Sequence, residues 1–246
     1  MDLPYKVSIV RVDEDDEHHR DETFQGLGDL RLGVKHFLVA EESFQLAGTL
    51  GLRLPTGRLN RVTAASYLDH DEAAALGVTV AEHSHLQLGT GTVDPFVGIE
   101  ALYRIDESWM LFGGVDVTIP FYENRYDYRT SPSITLNGGP AVNIGSKDSQ
   151  LFLGLFGELF YAGRDRFKGK DIVGPGGRFD GSFGVPNTGR FELALKPTIT
   201  WAVSETLTLD LQARIPLYTR IPEDSERGDV QLTEPIGVSM GLMLRF

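Results

Sequence analysis

Imidazoles set among carboxylates are the residues here whose types come nearest to doing chemistry. His18 and His19 lie in DEDDEHHRDE, His70 in YLDHDE, and His83 and His85 in AEHSH. Such groups suit a transition metal such as zinc or copper, and His83 and His85 would share a face if their stretch is extended. No defined spacing accompanies them, and DEDDE lacks the glycine and glutamate pattern of a calcium-binding loop. His70, His83 and His85 are therefore weak metal candidates, and solvated polar loops are the plainer reading. Catalysis has less to rest on, since GxSxG, HExxH and a glycine-rich phosphate loop are all missing from the sequence. The expectation is no catalytic residue and no cofactor.

A second set is more regular. Asp29, Arg31, Lys35, Arg53, Glu100, Asp116, Glu158, Glu192, Lys196, Asp210 and Arg214 each alternate with apolar neighbours. Together with Asp94, Arg104 and Arg245 they amount to seven charges of each sign, so the chain's net charge of -12 is carried entirely by residues elsewhere. Phe96, Phe112, Phe152, Phe156 and Phe160 fall on the same side. Balanced charges would form ion pairs and could make a polar track for a solute, with the phenylalanines as an apolar slide beside it. A bore packed with its own side chains is the plain alternative.

The elements that would position these residues follow from a period of two, because a strand turns successive side chains to opposite faces. In TLTLDLQARIPLYTR, Leu207, Leu209, Leu211, Ala213, Ile215 and Leu217 oppose Thr208, Asp210, Gln212, Arg214, Pro216 and Tyr218. In SFQLAGTLGLRLP, Phe44, Leu46, Leu50, Leu52 and Leu54 oppose Gln45, Thr49 and Arg53. The closing IGVSMGLMLRF sets Ile236, Val238, Met240, Leu242, Leu244 and Phe246 on one face. Segments at 29–38, 93–105, 109–121, 130–144, 150–162 and 191–203 follow suit, each near the ten residues that a tilted strand needs to cross a bilayer.

Alternation alone fits a soluble β-sandwich as well, with its greasy face turned inward. The connections discriminate. Tight turns at 40–43, 106–108, 146–149 and 204–206 alternate with long loops near 13–26, 56–91, 163–189 and 221–232 and a shorter one near ENRYD. Short turns on one rim and long loops on the other is the plan of an outer-membrane barrel. Phe44, Tyr103, Trp109, Trp201 and Phe246 beside the tight turns or at the terminus would form an interfacial girdle. The final strand would then close a cylinder, and its terminal Phe resembles the signal by which bacterial outer-membrane proteins are recognised for assembly.

Composition agrees. No run reaches the roughly 18 apolar residues of a membrane-spanning helix. There is no cysteine, hence no disulfide and no thiolate metal site, and the negative charge argues against nucleic acid as a partner. MDLPYKVSIV lacks the basic start and apolar core of a signal peptide. The loops differ in charge: the first is acidic and GRDRFKGKDIVGPGGR at 163–178 is basic. The two could latch across the mouth, or the acidic one would draw cations and the basic one anionic surface lipid.

Several phrases go further. LPY at 3–5, GLGDLRLGVKHFL at 26–38, GLRLPTGR at 51–58 and LGTGTVDPFVGIEALYR at 88–104 resemble successive blocks of the MetA-pathway phenol-degradation outer-membrane family. The resemblance covers about the first hundred residues. It implies a transporter or channel for hydrophobic compounds, and a chain that lacks the family's N-terminal strand or strands. Each block also has a plain structural job: Gly26 and Gly28 let the chain enter a twisted strand, and Pro55, Thr56 and Gly57 end one.

The expectation is an all-β, antiparallel up-and-down transmembrane β-barrel over 1–246, with about ten strands if 4–12 forms one and about twelve in a complete form. It would sit in the bacterial outer membrane, with lipid and a small hydrophobic or aromatic solute as partners and passive diffusion as its mechanism. A plugged or adhesin-type barrel acting through its loops is the main alternative. A surface-loop enzyme using LDHDE at 68–72 is the remaining one.

Overall fold

Alternation of polar and apolar residues produces strands and nothing else among the described residues. The computed structural model describes residues 5–10, 22–59, 88–125, 128–146, 150–163, 165–167, 172–174, 177–179, 189–204, 206–220 and 236–244. In chain order the strands are β1 (Tyr5–Val10), β2 (Glu22–Leu27), β3 (Leu30–Ala40), β4 (Phe44–Leu54), β5 (Asp94–Arg104), β6 (Trp109–Thr118), β7 (Tyr128–Arg129) and β8 (Ser133–Asn143). They continue with β9 (Gln150–Ala162), β10 (Arg166–Phe167), β11 (Ile172–Gly174), β12 (Gly177–Phe179), β13 (Arg190–Ala202), β14 (Leu207–Arg220) and β15 (Gly237–Leu244).

Nine of these form one antiparallel up-and-down sheet in the order β15-β14-β13-β9-β8-β6-β5-β4-β3. Each long strand pairs with its neighbour in this sheet, and the intervening short strands make two-stranded ladders of their own: β7 with β10 and β11 with β12. The expected strand at 4–12 exists as β1, but it pairs with β2 in a separate hairpin, so the main sheet holds nine strands and not ten. The region expected as the first long loop thus contains β2, and the third contains β10, β11 and β12. Among the described residues β3 and β15 each have one ladder partner. Both run from the long-loop rim to the short-turn rim, so a direct ladder between them would be parallel.

Register carries one face from β3 to β13, with a bulge between Phe37 and Val39 and a second between β13 and β14 at Leu193/Ala194, which turns Tyr218 outward where strict alternation placed it inward. Val34, Leu50, Val97, Val117, Ile134, Tyr161 and Phe191 are successive cross-strand partners from β3 to β13. One residue along, Lys35, Thr49, Gly98, Asp116, Thr135, Phe160 and Glu192 make the matching polar row. The two faces differ in exposure in the sense opposite to a soluble protein. Val34 is 76% exposed, Leu50 68% and Val238 72%, whereas Asp94 and Glu192 are 0% and 1% exposed. Leaving one large aliphatic side chain in water forgoes about 1.5–3 kcal/mol. More than a dozen stand on this face, a loss that exceeds the roughly 5–15 kcal/mol by which domains are stable. A sandwich would bury these leucines between two layers, so the sandwich alternative falls.

Aromatic residues bound the apolar band. Tyr103, Trp109 and Trp201 point outward near the tight turns, and Tyr161 and Tyr218 do so at the opposite ends of their strands. Phe191 and Trp201 lie ten residues apart on β13, about 33 Å along the strand. At the usual tilt of about 35–45° this spans roughly 25 Å, the height of the apolar band of an outer-membrane barrel. Phe246 lies outside the described residues.

Candidate functional site

The inner face gathers the charges, and curvature lets them meet. Strands lie about 4.8 Å apart, so β3 and β6, three strands apart, are about 14 Å apart on a flat sheet. Arg31 on β3 nevertheless reaches Asp116 on β6, with Nη2 donating to Oδ1 at 3.0 Å and to Oδ2 at 3.1 Å. Lys35 on β3 pairs with Glu100 on β5. Arg53 donates from Nε and Nη2 to Asp94 Oδ2 at 2.9 and 2.5 Å. The phenylalanine ring of Phe96 lies 4.1 Å beneath the Arg31 guanidinium. Gly51 makes room for it, since a Cβ there would strike the Phe96 ring and the Leu32 carbonyl.

A second network spans β9, β13 and β14. Arg214 donates from Nε to Glu158 at 2.8 Å and from Nη2 to Glu192 at 2.6 Å. Lys196 adds a bond to Glu158 at 2.8 Å, and Arg190 lies 3.5 Å from Glu192. Asp210 accepts from the Thr200 hydroxyl at 2.8 Å. Of the five inner phenylalanines, Phe112 and Phe156 meet edge to face with centroids 5.8 Å apart, while Phe160 packs under Arg190 at 4.9 Å. Phe152 lies toward the short-turn rim, opposite Asn143 and Thr200. The aromatic residues thus divide between a ring pair and two arginine stacks and do not form one strip. Arg190, absent from the predicted track, belongs to it. Extending the alternation of FELAL back by one residue would have put it beside Glu192.

Asp29 is placed differently from the rest. It precedes β3, is 6% exposed, and accepts from Gly57 N at 3.0 Å, Thr90 N at 2.8 Å and Thr90 Oγ1 at 3.0 Å. The Thr90 hydroxyl shares its single proton between Asp29 and Asp94, whose Oδ2 lies 3.1 Å away; the Thr92 hydroxyl donates to Asp94 at 2.7 Å, and the Asn124 amide donates to the Thr90 carbonyl at 2.9 Å. Thr56 accepts from Leu30 N and donates to Gly28 O. The blocks GLGD, PTG and GTGTVD therefore knot together at the long-loop rim. A Cβ on Gly57 would sit 2.7 Å from the Leu88 carbonyl, and Gly91 has φ +73°, so both glycines serve this close approach.

Above this rim the Asp165 carboxylate accepts from the Tyr128 hydroxyl and from Ser131 N at 2.7 Å. Burial pushes its carboxyl above the ordinary range, against those two hydrogen bonds and the Arg190 and Arg53 charges. On the opposite rim, the backbone N–H groups of Trp109 and Ser108 hold the Asp106 carboxyl below the usual carboxylate range and fix the β5–β6 turn. His70, His83, His85 and LDHDE lie outside the described residues, as do His18, His19 and Arg245. Among the described residues no cluster of three or more metal-ligating side chains occurs.

A curved up-and-down sheet with lipid-grade residues on one face and paired charges on the other has the fold of an outer-membrane β-barrel. Among solved structures, the chain is similar to an outer membrane channel from Pseudomonas putida F1, with a TM-score of 0.53 and 15% sequence identity over 89% of this chain. The chain spans 66% of the length of that channel. No family model matches the chain, and no curated protein matches it.

Proposed function

We propose that this chain is a bacterial outer-membrane channel through which small hydrophobic or aromatic molecules diffuse passively. The observation that carries the reading is the pairing on the inner face. Arg31, Lys35, Arg53, Lys196 and Arg214 each have a carboxylate partner, so the wall offers little net charge to hold an ion. A neutral solute loses least in passing such a wall, and Phe112, Phe156, Phe96 and Phe160 provide ring faces and edges along it. The fold likeness to an outer membrane channel supports the channel class, and the resemblance of GLGDLRLGVKHFL, GLRLPTGR and LGTGTVDPFVGIEALYR to blocks of the phenol-degradation family suggests an aromatic solute. No catalytic constellation enters this reading, and 1–246 acts as one barrel domain with lipid and solute as its partners.

A plugged barrel working through its loops is the competing arrangement, and swelling of proteoliposomes separates them. Vesicles holding the refolded protein should admit a small neutral aromatic alcohol faster than protein-free vesicles, after subtraction of its bilayer permeation. They should admit a benzoate-sized anion more slowly. Flux equal to the protein-free control for every solute would overturn the proposal.

A further inference from the structure

At the long-loop rim the outer face has a niche that the channel reading does not use. A cavity of about 530 Å³ is lined by Tyr161, Ala162, Gly163, Arg190, Phe191, Tyr218 and Arg220. That volume is within the range of about 300–1,000 Å³ typical of small-molecule sites. Register puts Tyr161, Phe191 and Tyr218 together on the lipid-facing side, and the Phe191 and Tyr218 rings meet edge to face at 6.2 Å. Tyr161 and Tyr218 are each 51% exposed.

Arg220 is the chemically distinctive member. It stands directly across from Phe191 at the last position of β14 and is exposed. Arg190, by contrast, is held by Glu192 and lies over Phe160. An arginine beside outward aromatic rings, at the height where hydrocarbon gives way to headgroups, matches a phosphorylated amphiphile: rings against sugar and upper acyl chain, guanidinium in a two-point bond to phosphate. Gly163 also begins the most basic stretch of the sequence, where Arg164, Arg166, Lys168, Lys170 and Arg178 outnumber Asp165 and Asp171 in a chain of net charge -12.

We infer that the niche of Tyr161, Phe191, Tyr218 and Arg220 is a docking site for the phosphorylated headgroup of an outer-leaflet glycolipid. This rests on the outer-membrane reading above, because it needs the long-loop rim to lie at the outer leaflet. Such a lipid would brace the upper ends of β9, β13 and β14, the strands that carry the Arg214 network.

The test uses the full chain in detergent micelles, with bisphosphorylated lipid A, its dephosphorylated form and inorganic phosphate as probes, read by native mass spectrometry. The bisphosphorylated lipid should be retained in preference to the dephosphorylated one, and millimolar inorganic phosphate should not displace it. Arg220→Gln should lower the bound fraction roughly five-fold, as expected for one basic residue at an anionic surface. Tyr218→Ser should weaken retention of both lipids. Strand content by circular dichroism confirms that each variant is folded before it is scored. Equal retention by wild type and Arg220→Gln, or displacement by phosphate alone, overturns the niche. If either occurs while the protein still inserts into vesicles, the channel reading stands; failure to insert at all overturns both.

Discussion

Glu192 is nearly sealed from solvent, and Arg214 is its closest cation, shared with Glu158 across β13. Breaking a buried pair by removing one partner costs about 3–5 kcal/mol, because the remaining charge is stranded. Here Lys196 still serves Glu158 and Arg190 lies near Glu192, so Arg214→Met should destabilise by about 2 kcal/mol, below that range. Urea unfolding of the vesicle-inserted protein measures this. Adding Glu192→Gln should recover part of the loss, since the second change removes the stranded charge. If the double variant is as unstable as the sum of the two single ones, the network does not act as described. The alternation of Glu192 and Arg214 with apolar neighbours was readable in the sequence. The choice of partners was not, because it depends on register between strands and on curvature.

Asp165 shows how one carboxylate can tie elements together. It sits between β9 and β10, holds the hydroxyl of Tyr128 on β7 and the backbone of Ser131 ahead of β8, and thereby fixes the β7–β10 ladder to the rim. Its carboxyl titrates above the ordinary range because of burial, so the folded state binds the proton more tightly than the unfolded one. The sign follows: this group's contribution to stability is greatest below the ordinary value of about 3.9 and is lost as pH rises through the raised value. Asp165→Asn should flatten that segment of the urea midpoint against pH, and an unchanged slope would count against the assignment. Strand positions were legible in advance because lipid and lumen each constrain alternate residues, which left a pattern of period two. The rim knot was not. Asp29 meets Gly57 and Thr90 across separations of 28 and 61 residues, and no local pattern encodes such a meeting. GLGD, PTG and GTGTVD carry turn-making glycines legible one by one, but their assembly around one carboxylate is a tertiary contact that no single phrase encodes. The hairpin of β1 and β2 was missed for a related reason: alternation predicts a strand but not the sheet it joins.

At the scale of the molecule the central claim is an inversion, with leucine, valine and isoleucine outside and ion pairs within. The chain contains no cysteine, so single-cysteine variants of it report one site each without background. Val97 is 43% exposed on the outer face, and Thr135 occupies the inner row between Asp116 and Phe160. Thr135 adjoins Ile134, which stands two strands from Val97 in the same cross-strand row. The most direct measurement is labelling of Val97→Cys and Thr135→Cys in lipid vesicles by a small, charged, membrane-impermeant maleimide. Thr135→Cys should react through the aqueous bore and Val97→Cys should stay unlabelled until the vesicles are dissolved and the protein is denatured. Rapid labelling of Val97→Cys with protection of Thr135→Cys would contradict the account.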